Sequence, residues 1–352
     1  MSADLRVVVV DDSALYRSVL SQILERQPGV EVVARSANGK EALAEIARAQ
    51  PDLVTLDVEM PVLDGIETLK RIRRSHPQVE TVMCSSLTAK GAEVTLRCLE
   101  EGAFDFITKP ELSGGTSGRE EIARQLVPIL EALRQRPGTI PAATRPAPRS
   151  APSSACSESP RVLAIGSSTG GPLALQEIIP RLPGDFPLPV LIVQHMPPFF
   201  TRRLAESLDS KSALRVIEAE HGQRLVAGTV FVAPGGRQMK VQRGINTATS
   251  SIVVTDDPPE RHCRPSVNYL FRSVADVFGG GVLAVILTGM GDDGTLGLRR
   301  LKRKGARILA QDEQSCAVFG MPREAVAAGV VDRIVPLEEM AERIQQASGV
   351  MV

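Results

Sequence analysis

Short apolar runs alternate with amphipathic segments twice along the chain, and the two series are separated by a stretch that supports neither pattern. Residues 137–160, PGTIPAATRPAPRSAPSSACSESP, are dominated by proline and small residues and show no apolar periodicity. Such a stretch buries too little surface to offset its chain entropy, so it reads as a semi-extended tether between two folded units. The expected division is therefore 1–136, tether 137–160, and 161–352. In the first unit strands are expected at Arg6–Val10, Val30–Ala34, Leu53–Leu56, Thr81–Cys84 and Phe104–Thr108. Helices are expected at Ala14–Arg26, Gly39–Ala49, Gly65–Arg74, Ala89–Glu101 and Arg119–Arg136. This alternation predicts a parallel sheet covered on both faces, the doubly wound α/β class.

In the second unit strands are expected at Val162–Ile165, Val190–Val193, Val230–Val232, Val282–Leu287 and Arg307–Leu309. Helices are expected at Pro172–Ile179, Val267–Val277 and Thr295–Lys304. This predicts a second α/β domain, in which 228–256 reads as a meander of short strands. A chain of 352 residues is long enough for a separate core in each unit. Lys plus Arg and Asp plus Glu both total 41, so there is no formal net charge. That balance, with no Trp and only two Tyr, argues against nucleic acid as a partner. No apolar run approaches the roughly 18 residues of a membrane span, and MSADLRVVVVDD lacks the pattern of a signal peptide. Neither membrane insertion nor export is expected. Five scattered cysteines without a CxxC pair suit reduced thiols in the cytoplasm better than a disulfide frame or a zinc site.

Three carboxylates in the first unit fall where strands should end. Asp11 and Asp12 follow VVVV, and Asp57 follows LVTL. In an open parallel sheet of order 2-1-3-4-5 they would converge at the switch point beyond the strands' carboxyl ends. Clustered hard oxygens suit Mg²⁺, which relieves their repulsion and can neutralise a phosphoryl group. Ser85 can add a hydroxyl, and Lys109, before Pro110, a cation. Any one of these acids alone is more often a helix cap or a solvated rim; the joint set is not. The DD pair, the run LDVEMPVLDG and Lys109-Pro110 resemble a response-regulator receiver domain with a flavodoxin-like fold. The resemblance implies Asp57 as phosphoacceptor, and Asp11, Asp12 and Asp57 as the Mg²⁺ site. It implies Ser85 as the switch hydroxyl, Lys109 as the phosphoryl partner and Phe106 as the rotating aromatic. An ordinary core or edge role for Phe106 stands as the alternative.

In the second unit, VLAIGSSTGGP reads as a strand, a tight turn and a helix start. Gly166-x-Ser168-x-Gly170 has the spacing that sets a serine on a sharp strand-to-helix turn, although Ser167 is a rival and such turns often only bind phosphate. Of four histidines, His195 ends an apolar strand in VLIVQHMPP. LAVILTGMGDDG supplies Asp292 and Asp293 at another strand end, where helix capping would explain one acid. Serine, histidine and aspartate at three strand ends of one sheet can form a triad, recognised by geometry rather than chain order. The order Ser…His…Asp differs from the Ser…Asp…His of ordinary α/β-hydrolases.

The runs SSTGGP, QHMPPFFT, HCRPSVNYLFRS, LTGMGDDG and VFGMPREAVAAGVVD resemble the catalytic domain of the chemotaxis protein-glutamate methylesterases. With the receiver and tether, this resemblance covers nearly the whole chain. It implies a phosphorylation-activated α/β serine hydrolase that demethylates glutamyl esters on chemoreceptors and also deamidates glutamines. Ser168, His195 and Asp293 are the implied triad, Met290 N–H serves the oxyanion and Thr169 helps to orient the histidine. A chemotaxis histidine kinase is the implied phosphodonor, the hydrolase step needs no cofactor, and the unphosphorylated receiver is expected to cover the cleft. Two departures stand out. Asp292 replaces the usual Asn before the catalytic Asp, and Asn268 stands where many members carry Asp. The first could raise the pKa of His195 or simply face solvent. Two rival readings are a receiver with a non-enzymatic output and a hydrolase of small esters.

Overall fold

The computed structural model describes residues 4–110, 117–134, 158–244 and 249–349. Of the expected tether only 158–160 falls among them. The chain divides into two compact units, Met1–Arg134 and Gln135–Val352. No helix among the described residues is long and apolar enough to cross a membrane.

The first unit alternates strictly between strand and helix. Its elements are β1 (Leu5–Val10), α1 (Ala14–Glu25), β2 (Val30–Ser36), α2 (Gly39–Ala49) and β3 (Leu53–Asp57). They continue as α3 (Gly65–Ser75), β4 (Glu80–Ser86), α4 (Ala89–Glu100), β5 (Asp105–Lys109) and α5 (Ser117–Arg134). All strand pairs are parallel and the order is β2-β1-β3-β4-β5. The helix starts are fixed locally. Ser13, Asn38, Asp64 and Thr88 each accept a hydrogen bond from a backbone N–H in the first turn that follows. Val7–Val10 and Leu53–Asp57 are buried throughout, as strands covered on both faces must be.

The second unit opens with β6 (Val162–Ser167), α6 (Gly171–Ile178), β7 (Val190–Gln194), α7 (Phe200–Lys211), β8 (Arg215–Glu218) and β9 (Thr229–Val232). A hairpin of β10 (Gln238–Arg243) and β11 (Ser250–Thr255) follows, then α8 (Val267–Phe278), β12 (Val282–Ile286) and α9 (Thr295–Arg303). The unit closes with β13 (Arg307–Gln311), α10 (Met321–Ala327), β14 (Arg333–Val335) and α11 (Leu337–Ala347). Seven strands form one parallel sheet in the order β14-β13-β12-β6-β7-β9-β8. The chain leaves β6 to one side through β7 and returns on its other side with β12, so the order reverses at β6. The hairpin is a separate antiparallel ribbon, and its Met239, Val241, Ile252 and Val254 share a core with Phe271 and Val274 of α8.

Of the expected meander over 228–256, only the β10–β11 hairpin forms as a separate ribbon. Thr229–Val232 joins the main sheet, because Val230, Phe231 and Val232 are buried on both faces between β7 and β8. Strands β8 and β14 carry weak apolar signals because they are short, partly exposed edges.

Candidate active site and phosphoacceptor pocket

Ser168, His195 and Asp293 follow the central strands β6, β7 and β12 at their carboxyl ends, in the crevice where strand order reverses. The Ser168 N–H donates to Thr288 O at 3.0 Å. Gly170, at φ +76, turns the chain into α6, which has no side-chain cap. Among the described residues, the N–H groups of Thr169, Gly170 and Met290 donate to no protein acceptor. Unpaired N–H groups of this kind can receive an anion. The turn closes only because glycine leaves room. A Cβ at Gly289 would lie 2.7 Å from Ser168 Cβ and 2.5 Å from Met321 Sδ.

Gln194, buried at the end of β7, holds the two neighbouring turns together. Its Nε2 donates to Ser168 O at 2.8 Å and to His195 O at 3.3 Å. Its Oε1 accepts from Ser167 Oγ at 2.7 Å. The Ser167 hydroxyl is fully buried and committed to this bond, whereas Ser168 is half-buried.

The His195 ring is held on both edges. Nε2 lies 2.9 Å from Asp293 Oδ2, and Nδ1 lies 3.7 Å from Cys263 Sγ. Asp293, itself buried, also accepts from Val267 N at 2.7 Å, Asn268 N at 3.0 Å and Ser266 Oγ at 3.0 Å. Burial opposes the carboxylate charge. The bond and charge of His195, with the Asn268 and Val267 amides, nevertheless hold the Asp293 pKa below its usual value. An acceptor at Nε2 fixes the tautomer with Nε2–H, so Nδ1 is the nitrogen left to act as base. Burial also works to lower the His195 pKa. The Cys263 sulfur beside Nδ1 and the bond to Asp293 outweigh it and push the pKa up to about 10.

Among the described residues no hydrogen bond joins Ser168 Oγ to the ring, and none joins the Thr169 hydroxyl to it. Thr169 enters through its carbonyl, which accepts from Thr288 Oγ1 at 2.9 Å. Asp292 is turned outward and pairs with Arg261 at 3.1 Å, so its extra charge faces solvent. Asn268 is buried, and its Oδ1 accepts from Gly297 N at 2.8 Å at the start of α9. A carboxylate at 268 could accept that bond equally. Sequence reasoning missed Gln194, Ser266 and Cys263. Ser266 lies where a helix cap is expected, and only folding aligns its hydroxyl with Asp293.

In the first unit, Lys109 Nζ sits 2.6 Å from Asp11 Oδ2 and 2.6 Å from Asp57 Oδ2. Burial pushes the Asp57 pKa up to about 6; Lys109 works to lower it and Asp11 adds to the rise. Asp11 is raised for the same first reason. Carboxylate oxygens of Asp11, Asp12 and Asp57 lie within 4.8 Å of one another. Three carboxylates facing one ammonium leave an excess of negative charge, and the oxygen-only donor set fits Mg²⁺. Ser85 is fully buried at the end of β4, and Phe106 is half-buried on β5 opposite Met83. Tyr16, which the sequence did not single out, stacks under Lys109 with the ammonium 4.8 Å from its ring centre.

A family model described as CheB methylesterase matches residues 163–344, and one described as response regulator receiver domain matches 7–114. A protein-glutamate methylesterase/protein-glutamine glutaminase of Desulfotalea psychrophila is 44% identical over 97% of this chain and 98% of its own length. One of Bordetella avium is 45% identical over 98% of this chain and 97% of its own. The crystal structure of the Thermotoga maritima CheB methylesterase catalytic domain aligns with 54% of this chain and 99% of its own, at 39% identity and a TM-score of 0.52.

Proposed function

Because the chain belongs to the CheB methylesterase family, we propose that it hydrolyses glutamyl methyl esters on chemoreceptors and deamidates glutamines at the same site. One observation carries this reading. An imidazole held by a buried carboxylate at 2.9 Å stands one strand from a serine whose turn offers unpaired N–H groups. In the proposed reaction His195 Nδ1 takes the Ser168 proton as Oγ attacks the ester carbonyl, while Asp293 stabilises the imidazolium. The hydroxyl and ring close to hydrogen-bond distance in the substrate complex, since such bonds are commonly loose without substrate. The N–H of Met290, with that of Thr169, receives the oxyanion, each donor worth about 2.7–4 kcal/mol in comparable hydrolases. The imidazolium returns its proton to the leaving methanol. Water, deprotonated by the same nitrogen, then cleaves the acyl-enzyme to free glutamate and restores Ser168. With a glutamine side chain the leaving group is ammonia.

Control is assigned to the receiver, 1–136, through the tether, 137–160, on the hydrolase, 161–352. Asp57 is the proposed phosphoacceptor from a chemotaxis histidine kinase. Asp11, Asp12 and Asp57 would hold Mg²⁺, which supplies positive charge to the phosphoryl oxygens. Lys109, freed from Asp57, pairs with the new phosphoryl group, and Ser85 and Phe106 respond to it. Phosphorylation adds charge at the pocket and shifts the equilibrium between inhibited and active arrangements. A cytoplasmic setting belongs to the same proposal. The test is methanol release from methylated receptor by the full chain with Mg²⁺ and a small phosphodonor. Release is expected; none from the folded wild type overturns the substrate assignment.

A further inference from the structure

Cys263 has no part in the proposed hydrolysis, yet its sulfur lies 3.7 Å from Nδ1 of His195. A turn carries it there, closed by the Glu260 N–H to Cys263 O at 3.1 Å and the Cys263 N–H to Glu260 O at 2.7 Å. The two residues between, Arg261 and His262, both adopt positive φ, 50° and 65°. For side chains of this size each costs about 1–3 kcal/mol, so the surrounding structure must hold the turn. Arg261 pairs with Asp292, Glu260 with Arg272, and Gln238 Nε2 donates to Cys263 O at 3.3 Å. The thiol is therefore presented to the imidazole by a restrained element rather than by a loose loop.

One ligand atom from each of His195, Cys263 and Asp293 lies within 4.8 Å of the others. In tetrahedral zinc coordination, Zn–S of about 2.3 Å and Zn–N of about 2.05 Å set sulfur and nitrogen about 3.6 Å apart. The observed separation is 3.7 Å. Asp293 is not a third ligand, because four donors already occupy its two oxygens. It stands instead on the far edge of the ring, where a carboxylate orients a metal-binding imidazole and raises its basicity. Thiolate and imidazole together favour Zn²⁺ over the hard cation that suits the carboxylates of the first unit.

We propose that Cys263 Sγ and His195 Nδ1 form a Zn²⁺ site, backed by Asp293, and that filling it switches the hydrolase off. Zn–S and Zn–N bonds form, the one proton held between Sγ and Nδ1 passes to solvent, and waters complete the coordination. The Nδ1 lone pair that would accept the Ser168 proton is then bound to metal. Two protein ligands hold zinc less tightly than the four of a structural site, which makes the inhibition reversible by chelators. The inhibitory half rests on the proposed function; the binding half does not.

The test uses the full chain, stripped by chelator and kept in saturating Mg²⁺ so that the acidic pocket is filled. Co²⁺ titration should give a thiolate-to-metal charge-transfer band and tetrahedral visible absorption at one equivalent, displaced by Zn²⁺. Cys263→Ser and His195→Ala, checked for an unchanged fold by circular dichroism, should each lose the band and weaken Zn²⁺ binding at least about tenfold. Zn²⁺ should suppress methanol release by the wild type but not by Cys263→Ser, with recovery on adding EDTA. An unaltered band in Cys263→Ser overturns the site. Binding without inhibition overturns only the switch, and a wild type inactive without zinc leaves the spectroscopic test standing by itself.

Discussion

Replacing Asp293 by Asn tests how far the site depends on a charged acceptor rather than on shape. The carboxylate is 3% exposed and accepts four hydrogen bonds, from His195 Nε2 and Val267 N on Oδ2, and from Ser266 Oγ and Asn268 N on Oδ1. An amide has one accepting end. With its oxygen toward His195, the NH₂ group meets Ser266 Oγ, which can reverse its role, and the Asn268 N–H, which cannot. With the amide turned over, NH₂ faces Val267 N–H and forces a proton onto His195 Nδ1, the wrong tautomer for a base. Either way one buried backbone donor loses its partner and the others lose a charged one. At about 1.5–3 kcal/mol for a hydrogen bond to a charged group, the loss is about 3 kcal/mol. For a unit of this size that lowers the melting transition by roughly 6–12 °C. Loss of the fixed tautomer should reduce kcat by about 10²–10⁴. Calorimetry of the full chain, and methanol release measured well below the new transition, read the two effects separately. A variant that melts and turns over like the wild type would refute both the electrostatic argument and the assignment of Asp293.

In Mg²⁺-free buffer, Asp57→Asn should stabilise the receiver unit at neutral pH. The pKa of Asp57 is raised from 3.8 to about 6, so folding opposes its ionisation. The penalty grows from about pH 4 to about pH 6 and reaches about 3 kcal/mol above that. The variant's advantage in melting temperature should therefore vanish toward pH 4; a constant or reversed difference contradicts it. The same variant should lose phosphodonor stimulation yet keep basal hydrolysis, and equal stimulation would remove Asp57 from the control scheme. Cys263→Ala takes away the sulfur that most raises the His195 pKa, so the rising limb of kcat/KM against pH should move to lower pH. A limb that stays in place shows that the sulfur does not set the basicity of the ring. Gly289→Ala drives a methyl group to 2.7 Å from Ser168 Cβ, so kcat should fall at least about tenfold if the turn shifts by a fraction of an ångström. Wild-type kinetics would show that the turn tolerates displacement.

Most of the scaffold is legible because it repeats one rule. Each apolar run is a buried parallel strand, and polar residues directly beyond it fall on one sheet edge. That rule locates Asp11, Asp57, Ser168, His195 and Asp293 without coordinates. It fails where burial is partial, as in β8 and β14, and for the hairpin, whose apolar runs pair antiparallel outside the main sheet. At the active site, the choice between Ser167 and Ser168 becomes physical only when Gln194 is seen to occupy the first hydroxyl. Cys263 is invisible in sequence because it lies 68 residues from His195 with no metal-type spacing. Its turn also uses Arg261 and His262 at positive φ, where a reader of sequence looks for Gly or Asn.

The proposed hydrolysis requires Ser168, His195 and Asp293 to act as one chemical unit on a methyl ester. Its sharpest test compares methanol release by Ser168→Ala, His195→Ala and the double variant under identical phosphodonor conditions. If the residues work as one relay, breaking it at either point is nearly complete, and the double variant is scarcely slower than the worse single one. Losses that multiply, or a Ser168→Ala enzyme that still turns over at the wild-type rate, would show that no such unit exists.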